Sequence, residues 1–361
     1  MKTRLLALCL ACGVSLSGCS AMLDRSYVSS ATHLDYSVAE DSSILRVETY
    51  QGLVNALLYF VNEHTSSGTI RLYNYTGDVE SDLESACNEV MTEDPLGAFS
   101  VRTMKYDSTR ILSYYEVEVN IVYSRSAQAV NSIQSVAGLS GLRGELTRAI
   151  SAQQTQSLSR VSYFSGDTAT VEALFWMAFY SSPHLALNPP PQVTASLYPD
   201  SGPQRIVEVN LTWPDTQTDT TAYAKELEAV VEQLLSDAPQ TARTAQALTA
   251  LVQQQVTPSS TGSLTALDAL SGQAASDRGL LLGLEAVLQG ADVEANMVLG
   301  SLRGSSTMWL IVATEDGYRH LLAQSLYPDQ PLQLYTDQQM TELGYTWTTS
   351  LYPACLENTQ G

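Results

Sequence analysis

Positive charge is scarce in this chain: 18 Lys and Arg stand against 38 Asp and Glu, a formal charge of −20 over 361 residues. Such a surface repels phosphate backbones and anionic headgroups, which argues against nucleic acid as a partner and leaves basic partners open. Histidine is scarcer, with 4 residues, and His33, His64 and His184 are isolated in sequence. No spacing suggests a metal site, and no cofactor is expected. Beyond the first eighteen residues, no segment approaches the roughly 18 consecutive apolar residues of a membrane-spanning helix. Cysteine numbers 5, and Cys9, Cys12 and Cys19 all fall near the N-terminus. That leaves Cys87 and Cys355 as thiols; a bond between them is permitted outside the cytoplasm, but spacing does not indicate one.

What is present begins with the leader. Lys2 and Arg4 form a positive start, Leu5 to Val14 an apolar run, and Leu16-Ser17-Gly18-Cys19 a processing site, so residues 1–18 read as a signal peptide. The small residues before Cys19 resemble the bacterial lipobox. That resemblance implies cleavage before Cys19, a lipid thioether on its sulfur with fatty chains such as palmitate, and anchoring at the extracytoplasmic face of the bacterial cell membrane. Loss of Lys2 and Arg4 leaves 16 basic against 38 acidic residues, a formal charge of −22.

The mature chain reads as α+β. Residues 19–43 are a polar tether, and 44–125 a first α+β module. In it, Leu53, Leu57 and Phe60 repeat at helical spacing, Val79 to Val90 forms a helix ended before Pro95, and Tyr114 to Tyr123 alternates as a half-buried strand. Cys87 shares a helical face with Leu83 and Val90, as a small buried apolar residue would. Residues 126–156, rich in Ser, Gly and Gln, read as a flexible connection or small helical hairpin. The glycines from Gly138 to Gly144 lack the convincing strand, helix and lysine that a phosphate cradle needs.

Residues 157–217 form a second α+β module, with a strand at Ser162 to Phe164, a helix at Thr170 to Tyr180 carrying Val171, Leu174 and Ala178, and a strand at Val193 to Tyr198. E-V-N-I at Glu118 to Ile121 recurs as E-V-N-L at Glu208 to Leu211 in an equivalent place, which suggests a repeat. Two helices follow, at Tyr223 to Ser236 and Ala242 to Val256, separated by Pro239.

Residues 218–355 make the last domain. Its carrying stretches are A-L-D-A-L-S-G-Q-A at Ala266 to Ala274, D-R-G-L-L at Asp277 to Leu281, V-E-A-N-M-V-L-G at Val293 to Gly300, T-M-W-L at Thr307 to Leu310 and D-G-Y-R-H-L-L at Asp316 to Leu322. In order and framework they resemble the transglutaminase-like superfamily with its papain-type cysteine-hydrolase core. The chain is thus expected to hold two N-terminal α/β repeat modules followed by a transglutaminase-like domain, for which the resemblance implies a cleft between one helix and the strands after it. It also implies a thiolate at the helix N-terminus, a histidine base on a facing strand and an orienting aspartate on the next.

Here those three positions fall on Asp277, Thr307 and Leu322, while Gly279, Gly300, Trp309 and Gly317 keep the framework. A shift of one residue would bring Ser276 to the nucleophile position, still without a base. Asp277 reads as a helix cap, a role worth about 0.5–2 kcal/mol. His320 lies two residues before Leu322 and so shares its strand face; with Cys355 it is the nearest approach to a rebuilt dyad. The expected function is therefore a lipid-anchored lipoprotein whose cleft is non-catalytic and binds a protein, peptide or cell-wall ligand or serves as structure. The alternatives are an active peptidase or transamidase with relocated residues, and a solute-binding lipoprotein with a deep pocket.

Overall fold

The computed structural model describes residues 44–187, 189–214, 219–236 and 243–357. The signal peptide, the tether and Cys19 lie outside the described residues. None of the described helices is long and apolar enough to cross a membrane. The fold is mixed α+β, with four sheets among the described residues, and the chain divides into two compact units, one ending at Ala127 and one beginning at Gln128.

The first unit runs β1 (Ile44–Val47), α1 (Tyr50–Asn62), β2 (Ser67–Tyr73), α2 (Val79–Thr92), α3 (Pro95–Ser100), β3 (Val101–Ile111) and β4 (Tyr114–Tyr123). Caps set the helix starts: Thr49 accepts from the Gly52 N–H, Asp78 from Ser81, and Asp94 from Leu96 and Gly97, ahead of Pro95. The α2 face of Leu83, Ala86, Cys87 and Val90 is buried, so Cys87 sits as an apolar core residue with a free thiol. Phe99 and Ser100 close α3, and β3 starts directly after them at Val101.

The second unit continues with α4 (Ala127–Asn131), β5 (Gln134–Ala137), α5 (Gly138–Ser151), β6 (Gln156–Ser162), α6 (Thr168–Tyr180), β7 (Gln192–Tyr198) and β8 (Gln204–Thr212). Residues 126–156 are thus not a connection, because β5 pairs parallel with β6 and α5 buries Leu142, Leu146 and Ile150. Gly138, Gly141 and Gly144 all fall within α5 rather than in a loop. A Cβ on Gly141 would stand 3.0 Å from the Val136 side chain, so that glycine serves close helix–strand packing, not a ligand. The strand expected at Ser162 to Phe164 instead ends at Ser162, where Tyr163 turns to φ 58°.

The first sheet has strand order β1-β2-β4-β3 and the second β5-β6-β8-β7, each with its first pair parallel and the others antiparallel. Detail matches as well. The Ile121 N–H donates to Ser66 O at 2.8 Å, and the Leu211 N–H to Thr155 O at 2.8 Å. Two residues on, the Tyr123 hydroxyl donates to Thr65 O at 3.0 Å and Trp213 Nε1 to Gln154 O at 2.8 Å.

The chain then forms α7 (Thr220–Ser236), α8 (Ala245–Gln253), β9 (Thr257–Ser263), α9 (Ala266–Leu270), β10 (Ala274–Ala275), α10 (Asp277–Gly290), β11 (Ala295–Leu302), β12 (Ser305–Thr314), β13 (Gly317–Leu321), β14 (Leu334–Tyr335), α11 (Asp337–Glu342) and β15 (Tyr345–Trp347). Strands β11 to β15 make an antiparallel sheet of order β14-β13-β12-β11-β15, and β9 pairs with β10. Helix α10 is the central pillar: Leu280, Leu281, Leu282, Leu284, Val287 and Leu288 are fully buried. Each such side chain contributes about 1.5–3 kcal/mol over its exposed state.

One face of the five-stranded sheet, with Met297, Leu310, Val312 and Leu321, packs on α10. The same core runs without a break into Leu146 of α5 and into Phe175, Phe179 and Val207 of the second module. Residues 157–217 and 218–355, expected as separate domains, therefore share one core. The cause is α6: A-L-F-W-M-A-F-Y is apolar on every side, so the helix must bury two faces. The opposite face of the sheet carries Val298, Trp309, Ile311, Leu322, Met340 and Cys355.

Candidate functional site

Ser276 makes the N-cap of α10: its Oγ accepts from the Gly279 N–H at 3.5 Å and donates to Ser263 O at 3.1 Å. Asp277 is therefore not the cap expected from sequence but the first helical residue. Its Oδ1 accepts the Tyr327 hydroxyl at 2.7 Å, a bond that pushes the phenol up to about 12. Gly279 allows the close approach of α10 to β9, since a Cβ there would lie 2.5 Å from Ser263 O.

In front of this helix start opens a cleft of about 800 Å³. Ser276, Asp277 and Arg278 form its floor, Gly300 and Thr307 one wall, and Trp176 of α6 another. Arg278 is held away from the opening: Nη2 donates to Ala186 O at 3.2 Å and Leu187 O at 3.0 Å, with its guanidinium 4.9 Å above the Tyr180 ring. Burial lowers its pKa, while the rings of Tyr180 and Tyr223 oppose that shift. Asp277 and Thr307 thus share one cleft, and among the described residues its lining includes neither Cys nor His.

Leu322 and His320 go elsewhere. They share a face, as the strand alternation predicts, but it is the far face of the sheet with Trp309 and Cys355. Trp309 is fully buried, and Gly300 makes room for it: a Cβ at Gly300 would lie 2.5 Å from the indole and 2.4 Å from Thr346 O. The Trp309 Nε1–H donates to His320 Nδ1 at 2.8 Å, and His320 Nε2 meets Asp337 Oδ1 at 2.8 Å.

The proton on His320 follows from its partners. An indole nitrogen only donates, so Nδ1 is unprotonated, and in the neutral ring the hydrogen sits on Nε2 and is donated to Asp337. Burial favours that neutral ring by lowering the His320 pKa, against the opposing pull of Asp337. Asp337 also latches the C-terminal segment: its Oδ2 accepts the Cys355 N–H at 3.1 Å, and its own N–H donates to Cys355 O at 2.8 Å. Cys355 is a free, buried thiol pushed up to about 12, chiefly by burial.

The hydrogen bonds of this cluster oppose both kinds of chemistry that its residue types suggest. A thiol dyad needs an imidazole nitrogen able to accept the sulfur proton, and both His320 nitrogens are already engaged. A cation would find ligand atoms of His320, Asp337 and Cys355 within 4.8 Å of one another. It would have to displace the Nε2 proton, however, while the indole N–H holds Nδ1 as an acceptor. Metal-bound histidines instead donate their second ring N–H, so the residues do not fit a metal. Sequence reasoning missed Asp337. Its only local signal is the capping box of Thr336 and Gln339, which marks a helix start and says nothing of His320.

No family model matches the chain, and no curated protein matches it. Among solved structures, it is similar to one described as the crystal structure of a TGase, with 11% identity and a TM-score of 0.25. That match covers 53% of this chain and 57% of the other.

Proposed function

We propose that the chain is a lipoprotein anchored through Cys19 at the extracytoplasmic face of the cell membrane, with a transglutaminase-like C-terminal domain that binds a ligand and does no catalysis. The observation that carries the reading is Asp277 at the start of α10, accepting from Tyr327 at 2.7 Å where a thiolate would act. A carboxylate there replaces an activated nucleophile with a fixed acceptor, and Thr307 across the cleft supplies no base. Glutamine peptides offered with a primary amine should give neither amide hydrolysis nor amine incorporation. Turnover that disappears in Asp277→Ala would overturn this reading. Anchoring is checked separately: Cys19→Ala should lose palmitate label and leave the membrane fraction.

The cleft volume of about 800 Å³ also favours a solute-binding lipoprotein, a narrower form of the same function. The two α/β modules, in turn, read as copies of one ancestral unit. The support is their common strand order and the matched bonds from Tyr123 and Trp213. On that reading Trp213→Tyr should keep its bond to Gln154 and melt above Trp213→Phe, which loses about 0.5–1.5 kcal/mol. Equal melting of the two variants would count against it.

A further inference from the structure

We infer that the cleft before α10 takes a neutral carbohydrate, a short chain of sugar rings seated on Trp176 with its hydroxyls turned to Asp277. The inference rests on the binding-module reading and names its ligand class. Charge narrows the choice first. Among the described lining residues, Asp277 and Arg278 are the only charged side chains, and they offset each other. An anion would meet Asp277 but find no open cationic fork, because Nη2 of Arg278 is committed to two carbonyls and its guanidinium lies on Tyr180. Of the amides at the start of α10, that of Gly279 is taken by Ser276 Oγ and that of Ser276 donates to Ser263 O, and the Asp277 carboxylate beside the remaining ones repels an anion. A cation gains little from a single exposed carboxylate that already holds a phenol.

A purely apolar ligand fits no better, because Ser260, Ser306, Thr307 and Tyr327 place hydroxyls around the opening and would lose water without replacement. What remains is a neutral molecule with a flat apolar face and a rim of hydroxyls. Trp176 supplies the matching surface. It is half-buried, stacked on Tyr180 at 5.9 Å and 24°, and braced edge-on by Phe175 and Phe179 at 5.1 and 5.8 Å. Such a ring is fixed before the ligand arrives, which lowers the entropic cost of binding. Asp277 retains Oδ2, which has no partner among the described residues, to accept from a sugar hydroxyl, a charge-assisted bond stronger than a neutral one. At about 800 Å³ the cleft has room for more than a single ring.

The test uses the full chain in polyoxyethylene detergent, which carries no sugar headgroup. Tetrasaccharides of glucose, mannose and N-acetylglucosamine are titrated by calorimetry and by tryptophan emission, with spermidine and citrate as the charged comparators. At least one tetrasaccharide should bind. Asp277→Asn should weaken it by about tenfold or more, the loss of one charged hydrogen bond. Trp176→Ala should abolish it, and because that change could unfold the chain, circular dichroism accompanies it and the exposed Asp277→Asn stands as the independent variant. Saccharide binding unchanged in Asp277→Asn overturns the inference. Binding of spermidine or citrate alone overturns the ligand class and leaves the binding module standing, whereas amine incorporation lost in Asp277→Ala overturns both. No binding by any probe, with no turnover, overturns the carbohydrate inference.

Discussion

Glu285 lies in the middle of α10 with no exposed surface, and neither carboxyl oxygen has a hydrogen-bond partner among the described residues. Burial raises its pKa well above the ordinary 4.5, with the Arg143 charge pulling the other way. Replacing it with methionine, of similar length and shape, removes the desolvated polar group without opening a cavity. An unpaired buried carboxyl costs about 1–3 kcal/mol, so Glu285→Met should be more stable than wild type by that order at acidic pH. The gap should then widen. Above 4.5 the unfolded chain releases the proton while the fold keeps it, so wild-type stability falls as pH rises toward the folded pKa and is level beyond it. The slope for one proton is about 1.4 kcal/mol per pH unit. The assay is urea unfolding at several pH values, followed by tryptophan emission. All 4 tryptophans, Trp176, Trp213, Trp309 and Trp347, fall in the second unit, so the signal reports the unit that contains Glu285. A destabilised Met variant, or a gap that does not change with pH, would refute the reasoning.

Gly300→Ala should cost about 1–3 kcal/mol or more, because the new methyl meets the Thr346 carbonyl, which cannot move aside as a side chain would; a melt within a degree of wild type would contradict this. Trp309→Phe should cost about 1–3 kcal/mol for the orphaned His320 Nδ1. It should also release the tautomer, so that zinc binds the variant and not the wild type, as read by metal content after dialysis. His320, its pKa lowered by burial, should give the opposite pH signature to Glu285: its contribution is present above the ordinary 6.5 and is lost as pH falls below it, so the pH slope there should vanish in His320→Gln. Cys87 and Cys355, both buried with pKa values pushed up to about 12, should resist thiol reagents in the native chain and react on unfolding.

The helix and strands around the cleft were legible because their periodicity is local. Leu280, Leu284 and Leu288 mark one helix face, and the run from Trp309 to Val312 marks a buried strand. Polarity misled elsewhere. The stretch 126–156 reads as a linker because its Ser, Gly and Gln outweigh Leu142, Leu146 and Ile150, three residues that suffice to seat α5 on a sheet. Asp277 lines the cleft but makes a bond that sequence does not reveal, since its partner Tyr327 is fifty residues away and Ser276 caps just as well by composition. Thr170 to Tyr180 held its own warning: a helix with no polar side has no solvent face, so a second packing partner was implied. Which partner that is depends on tertiary contacts.

The core shared through α6 separates two kinds of boundary. On the proposed duplication, the second copy ends after Trp213, yet Phe175, Phe179 and Val207 belong to the same core as Leu310 and Leu321. A gene cut at the end of the copy would therefore divide a folding body and strip α6 of one of its packing faces. The seam between Ala127 and Gln128 leaves each unit its internal contacts. On that proposal, inheritance and cooperativity would be punctuated at different places in one polypeptide. The second module has the strand order of the first but shares its core with the elements that follow it, and with Trp176 it furnishes a wall for their cleft.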